Sequence, residues 1–137
     1  MNIENNRKEY KSDKTIVYSC QFHVIFCTKY RRKVLDNKVD VRLKELIFDN
    51  QMKHDYQIHE LEIMPDNVHL LIDVNPKIGI HKTIKKIKGL SSNILRNEFS
   101  FLKSRIPSLW TRSYFVSTVG SVSLETVKRY IENQKSV

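Results

Sequence analysis

Two pairs of residues in this chain have types and spacing suited to phosphodiester cleavage. Asn67 and His69 are two residues apart within an apolar run, and Tyr130 and Gln134 are four residues apart near the C-terminus. Residues two apart on a strand share a face, and residues four apart on a helix stack on one face. Imidazole and amide oxygen can bind a divalent metal, and a tyrosine oxygen can attack phosphorus. Together the pairs predict a metal-dependent nuclease site.

Neither pair is specific by itself. Short polar patterns are common on strands, so on spacing alone a surface histidine beside a turn asparagine is the preferred explanation of Asn67 and His69. A tyrosine packed at the edge of an amphipathic helix explains Tyr130. A phenol with a pKa of roughly 10 is also a weak nucleophile without assistance. Spacing alone therefore leaves both interpretations open.

The charge of the chain favours a nucleic-acid partner. The 137 residues, enough for one domain with a core, carry a formal charge of +9, from 24 Lys and Arg against 15 Asp and Glu. A solvated basic face is the alternative interpretation. The residues predicted to bind nucleic acid form two clusters: Lys29, Tyr30, Arg31, Arg32 and Lys33, then Lys82, Lys85, Lys86 and Lys88.

The cysteines and the hydropathy pattern indicate the cellular compartment of the protein. Cys20 and Cys27 fall in one predicted strand, too far apart to bridge, so we expect free thiols and a cytoplasmic protein. No apolar run approaches the length of a membrane span, so we expect no membrane partner.

Periodicity, caps and turn residues predict a series of strands and helices. Residues 1–14 are polar without apolar periodicity and are predicted to form a flexible N-terminal arm, followed by a single domain over 15–137. Alternation in 56–64 places His59, Leu61 and Ile63 on one face of a strand. The predicted elements are a strand over 15–27, a helix from a cap at Asp36 to 53, strands over 56–64 and 67–74, a helix over 79–98, a strand over 114–119, and a helix from a cap at Ser123 to about 135.

This order of elements predicts the fold class. Strand, helix, strand, strand, helix, strand is the α+β pattern of ferredoxin-like and RRM-like domains, here followed by a C-terminal helix that carries Tyr130. An antiparallel sheet with its helices on one face leaves the other face open for a ligand.

Several ordered segments together resemble one family, the TnpA-type single-tyrosine HUH transposases of the insertion-sequence 200/605 family. Residues 29–34 are similar to its basic KYRRKV segment, and residues 64–71 to its MPDHVHLL strand. Residues 86–92 resemble its KG-x-S-S/T segment, and residues 130–134 match its Y-x-x-x-Q signature. The resemblance covers nearly the whole chain.

The resemblance implies an activity and a set of roles. Tyr130 corresponds to the nucleophile that takes the 5′-phosphate end, and His69 and Gln134 correspond to ligands of a divalent metal, Mg²⁺ or Mn²⁺. Gly120 corresponds to a hinge before the last helix. Family members act as homodimers on single-stranded DNA, recognise hairpins near the element ends, and cleave and rejoin strands through a covalent phosphotyrosine.

One position departs from the family pattern. The first histidine of the HUH motif falls on Asn67. An amide oxygen suits Mg²⁺, although it is a weaker donor than a carboxylate. Three alternatives follow: Asn67 still binds the metal, Asp66 takes over, or the site is altered. The alternative function is a module that binds hairpin nucleic acid without cutting it.

Overall fold

A computed structural model describes residues 10–12, 15–119 and 124–135. Its main sheet has four strands, all paired antiparallel, in the spatial order β4–β5–β3–β6. Two short strands form a separate two-stranded ribbon. The strands are β1 (Lys11–Ser12), β2 (Val17–Tyr18), β3 (Gln21–Cys27), β4 (Tyr56–Met64), β5 (Asn67–Val74) and β6 (Phe115–Thr118).

Helices alternate with these strands in the predicted order. The bounds are α1 (Val39–Asp49), α2 (Gln51–His54), α3 (Ile80–Glu98), α4 (Phe101–Arg105) and α5 (Leu124–Glu132). The arrangement confirms the predicted ferredoxin-like α+β class, because the first and third main strands are central and are joined through helices to the edge strands. Tyr130 lies within α5.

The hydrophobic core fills the space between the sheet and helices α1 and α3. Alternate residues of β5, including Val68, Leu70 and Ile72, are fully buried there with Leu43 of α1 and Ile84 of α3. The intervening residues of β5 face the other way, onto what we call the outer face of the sheet. The core fixes β5 rigidly and so fixes the direction of its outer-face side chains.

The first predicted strand was too long. Val17–Tyr18 pairs with Lys11–Ser12, and the main-sheet strand begins only at Gln21. Lys11–Ser12, which falls within the arm predicted over 1–14, forms a strand. Residues 1–9 and 13–14 lie outside the described part of the chain.

The predicted cap at Asp36 was wrong. Asn37 and Lys38 have left-handed backbones, with φ of 46° and 82°, and Lys38 directly precedes α1. This turn delays the helix to Val39, whose backbone NH bonds to the Asp36 carbonyl at 2.9 Å. The helix also stops at Asp49 and does not continue unbroken to 53.

A bulge in β4 changes the predicted facing of its residues. The register shifts between Ile58 and Glu60, so that Ile58 pairs with Ile72 and Leu61 pairs with Leu70. Ile58, Leu61 and Ile63 therefore all pack on the core, whereas strict alternation had placed Ile58 on the opposite face. The extra residue is His59.

The middle of the chain agrees closely with the prediction. Strand β5 has the predicted bounds, Gly79 precedes α3, and β6 falls within 114–119. The short helix α4 was not predicted. Gly120 and Ser123, the predicted hinge and cap, lie outside the described residues. Within the described ranges, no helix has the length and apolarity needed to cross a membrane.

Candidate functional site

Four residues, the predicted ligand His69 and three neighbours, lie in one row across the outer face of the sheet. Glu62 of β4 is opposite His69 of β5, His69 is opposite Ile25 of β3, and Ile25 is opposite Phe115 of β6. Neighbouring strands are about 4.8 Å apart, so the backbones at His69 and Phe115 are separated by about 10 Å. The row connects the strand motif to the edge on which α5 packs.

His69 contacts a second histidine. The Nε2 of His69 lies 3.4 Å from the Nδ1 of His23 on β3, and the ring centroids are 5.6 Å apart. His23 is opposite Leu71, so it is a diagonal neighbour of His69 across the two strands. The pair lines a groove with Glu60, Glu62 and the neighbouring leucines. We call His23 and His69 the imidazole pair.

Asn67 sits in a more enclosed environment. It is 8% exposed, and its side-chain amide donates to Oδ1 of Asp66 at 2.7 Å. The other oxygen of Asp66 accepts a bond from Nε of Arg31 at 3.0 Å. Both carboxylate oxygens are thus engaged, one by the Asn67 amide and one by the Arg31 guanidinium. We call Arg31, Asp66 and Asn67 the Asn67 corner.

A strained loop delivers Arg31 to this corner. Tyr30 and Arg31 have left-handed backbones, with φ of 56° and 51°, which costs about 1–2 kcal/mol for each such residue. Thr28 holds the loop, because its hydroxyl donates to the carbonyl of Arg32 at 2.7 Å and its NH donates to that of Asp66 at 3.0 Å. The loop therefore fixes Arg31 in place but points Tyr30 outward.

Tyr130 and Gln134 meet at one serine. The Ser113 hydroxyl lies 3.3 Å from the Tyr130 hydroxyl and donates to Oε1 of Gln134 at 3.2 Å. Gln134 is buried, at 7% exposure. The nucleophile candidate and the amide candidate therefore share a partner within the same chain.

The phenol of Tyr130 rests on the outer face of the sheet. Its ring lies 5.7 Å from that of Phe115, between centroids. Burial raises the pKa of Tyr130, and the Cys27 thiol adds to this, whereas the hydrogen bond with Ser113 lowers it. Burial also raises the pKa of Cys27 to about 11. Both groups are consequently protonated at neutral pH.

Lys88 supports the segment that carries Ser113. Its ammonium group donates to the carbonyls of Thr111 at 2.7 Å and Ser113 at 3.0 Å. Burial lowers the pKa of Lys88 to about 8. The sequence assigned Lys88 to nucleic-acid binding, but its charge is directed at these two carbonyls.

The other basic residues line two grooves. In the first, Lys29, Tyr30 and Lys85 join Arg112 and Tyr114, and we call this the aromatic groove. In the second, Lys82 and Lys86 join Lys53, with Lys85 at the boundary between the two. Arg32 and Lys33 are exposed beside the first groove's loop.

The structure thus groups the predicted residues differently from the sequence. His23, Ser113 and Arg112 were missed. Alternation along residues 15–27 puts His23 on the same strand face as Ile25, but only the register of β3 against β5 brings it to His69. Ser113 and Arg112 lie in a loop without periodicity, so nothing in the sequence pattern identified them.

Comparison with known proteins gives the family. Residues 16–134 match the family model described as "Transposase IS200 like". The chain is 33% identical over 128 residues to the ISDra2 transposase TnpA of Deinococcus radiodurans, covering 92% of this chain and 91% of that protein. It is 28% identical over 119 residues to the transposase for insertion sequence element IS200 of Salmonella typhimurium, covering 85% and 78% of the two chains.

Solved structures agree with the sequence relatives. A proposed transposase of Deinococcus radiodurans superposes with a TM-score of 0.83 at 35% identity, covering 93% of this chain and 99% of that one. A REP-associated tyrosine transposase bound to a REP hairpin superposes with a TM-score of 0.57 at 10% identity, covering 90% of this chain and 67% of that one, and at this identity shows the fold alone. The chain belongs to the IS200-like transposase family.

Proposed function

We propose that this transposase cleaves and rejoins single-stranded DNA through a covalent 5′-phosphotyrosine at Tyr130. The observation that carries the proposal is the position of the Tyr130 hydroxyl. It lies on the outer face of the sheet, within hydrogen-bonding reach of Ser113, which also binds Gln134. His69 projects from the same face.

The proposed step exchanges one phosphate ester for another. The Tyr130 oxygen bonds to phosphorus, the bond to the 3′ oxygen breaks, and that oxygen leaves as a 3′-hydroxyl after taking up a proton. The raised pKa of Tyr130 means that its own proton must leave as the new bond forms. Rejoining reverses the exchange, with a 3′-hydroxyl attacking the phosphotyrosine.

The family resemblance adds a divalent metal, Mg²⁺ or Mn²⁺, held by His69, Asn67 and Gln134. When bound, such a metal polarises the phosphate and stabilises the leaving oxygen. The donor types fit, because His69 offers an imidazole nitrogen and the two amides each offer a carbonyl oxygen, although that of Gln134 also accepts a bond from Ser113. Asp66 fits less well as a replacement ligand, because Arg31 and Asn67 engage both of its oxygens.

The grooves support a single-stranded or hairpin DNA substrate. Lys29, Lys85 and Arg112 in the aromatic groove suit phosphates, and the exposed Tyr30 offers its ring to unpaired bases. The ring of Tyr114 already stacks on His81. One structural neighbour is a tyrosine transposase bound to a REP hairpin.

We also propose a homodimer. Strand β6 lies at the edge of the main sheet, and Val116 on it is 38% exposed. An exposed edge strand can pair with a second copy of itself. A strict monomer in light scattering, with and without DNA, would contradict this.

A covalent-adduct assay tests the reaction. The protein is incubated with single-stranded element-end DNA and Mg²⁺ or Mn²⁺ and run on a denaturing gel. Tyr130→Phe should abolish the adduct but retain hairpin binding, because it removes only the attacking oxygen. Tyr10→Phe is the matched control, since the side chain of Tyr10 is 72% exposed.

The second candidate function is hairpin binding without cleavage. The enclosed position of Asn67 favours it, because the amide is engaged by Asp66 and no imidazole occupies position 67. Tight DNA binding without adduct at any metal concentration would select this function and exclude the first.

A further inference from the structure

We propose that His23 is a metal ligand. It binds the metal beside His69 and so supplies the second imidazole, which position 67 lacks. This inference rests on the proposed function for the role of the metal in cleavage, but the metal site itself can be tested without DNA. It assigns a metal-binding role to a residue of β3 that lies outside both sequence motifs.

The first support is the spacing of the two rings. Two imidazole nitrogens bound side by side at about 2.1 Å to one octahedral metal ion lie about 3.0 Å apart, within a few tenths of an ångström of the separation seen here. The Nε2 of His69 and the Nδ1 of His23 are 3.4 Å apart. The centroid separation of 5.6 Å also suits two rings that converge on one ion. Little rearrangement is therefore required to receive it.

The second support is the identity of the nitrogen. It is the Nε2 of His69 that contacts His23, so an ion bound to this nitrogen on the side of His23 can also reach Nδ1 of His23. Asn67 is farther along β5 and opposite Cys27, and its amide is turned to Asp66. His23 is thus better placed than Asn67 to share a ligand with this atom.

The third support is the charge of the groove. Glu62 is directly opposite His69 and Glu60 is opposite Leu71, so two carboxylates line the groove that holds the imidazole pair. These acidic side chains favour a cation in a protein with a formal charge of +9.

The pair leaves coordination positions open. Among the described residues, no three His, Cys, Asp or Glu side chains already stand close enough to hold an ion together. The remaining positions are therefore available to water, amide oxygens and a phosphate oxygen of the DNA. Open positions are what a catalytic metal site requires.

The test is binding of Mn²⁺ alone to the full chain without DNA, measured by calorimetry and by pulsed EPR, which counts the coordinated imidazoles. We expect two imidazoles in the unaltered protein. His23→Ala and His69→Ala should each leave one imidazole and weaken binding by at least about 10-fold. Asn67→Ala should keep both imidazoles and lose less affinity than His23→Ala.

His54→Ala is the matched control, because this histidine lies on α2 and should leave both readouts unchanged. His23→Phe provides a second variant that retains ring volume without a donor, and circular dichroism without metal confirms folding. The proposal is overturned if both His23 variants keep the affinity and imidazole count of the unaltered protein, or if that protein binds no Mn²⁺ at millimolar concentration.

The adduct assay separates this inference from the proposed function. Tyr130→Phe should still bind Mn²⁺ through two imidazoles. Two imidazoles without any adduct from the unaltered protein would support the metal site and defeat the proposed cleavage. An adduct from the unaltered protein, with an unchanged imidazole count in the His23 variants, would support the proposed cleavage and defeat the assignment of His23 as a ligand.

Discussion

Asn67 and His69 project from the same strand in the same direction, but their surroundings differ. The Asn67 corner is enclosed, and its carboxylate binds both the amide and the guanidinium. The imidazole pair borders a groove with carboxylates at its rim. Two positions of one sequence motif thus differ in their contacts, because the Asn67 amide is bound by Asp66 and His69 contacts His23.

The largest expected effect is a difference in activity between variants at His69 and at Asn67. His69→Ala should lower the rate of adduct formation by about 100-fold or more, because metal assistance supplies several kcal/mol. Asn67→Ala should lower it far less. Single-turnover assays measure both, with hairpin affinity as the control for folding. Equal losses at the two positions would remove the distinction.

The next effect concerns stability at the Asn67 corner. Asp66→Ala leaves the half-buried Arg31 without its ion-pair partner and Asn67 without its acceptor, so the free energy of unfolding should fall by about 2 kcal/mol. Asp49→Ala, an exposed substitution, should change it by less than about 0.5 kcal/mol. Urea denaturation compares them. A similar free energy of unfolding for both variants would mean that the Asn67 corner does not stabilise the fold.

Restoring the histidine at position 67 sharpens the comparison. Asn67→His should raise adduct formation at low Mn²⁺ by about 10-fold, because imidazole is a better donor than an amide oxygen. The variant also loses the amide bond to Asp66. A metal titration of both proteins on the same DNA measures the change. No gain would indicate that position 67 takes no part in metal binding.

Salt dependence tests which basic residues remain available to DNA. Replacing Lys29 and Lys85 with Ala should reduce the slope of log K against log salt by about 0.7 for each DNA phosphate that the protein no longer neutralises. Arg31→Ala should change the slope less, because Asp66 already neutralises its guanidinium. Fluorescence anisotropy over a salt series provides the slopes. A flat dependence in the unaltered protein would contradict the electrostatic account.

The smallest effect concerns pH and Lys88. Its folded pKa of about 8 lies below the ordinary value of 10.5, so the unfolded chain holds more protons between these values. Stability from this group should therefore rise with pH in that window. Between pH 8 and 9, the free energy of unfolding should rise more steeply in the unaltered protein than in Lys88→Met. Parallel curves would show that burial does not lower the pKa of Lys88.

The sequence predicted the elements better than their junctions. Strand β5 was predicted to the residue because its apolar alternation and its bordering turns agree. The start of α1 was missed because Lys38 has a left-handed backbone that its residue type does not favour, although the same conformation is common for an asparagine such as Asn37. The break before β3 depended on pairing between Val17–Tyr18 and Lys11–Ser12, which is not a local property.

The candidate site was predictable only where it follows periodicity. Asn67 and His69 were identified by spacing within one strand. Tyr130 and Gln134 were identified by spacing within a helix predicted to reach about 135, but α5 ends at Glu132 and Gln134 lies in the turn that follows. His23 required the strand register, which a single sequence does not encode locally. Ser113 required the position of a loop that Lys88 holds through its carbonyl groups.

The bulge at His59 also limits how β4 can change in length. Because one extra residue separates Ile58 from Glu60 in the register, Tyr56 and Ile58 reach the core only while that residue is present. A substitution at position 59 keeps this geometry, whereas a deletion there would turn both apolar side chains toward solvent. Along β4, evolution is therefore freer to replace His59 than to remove it.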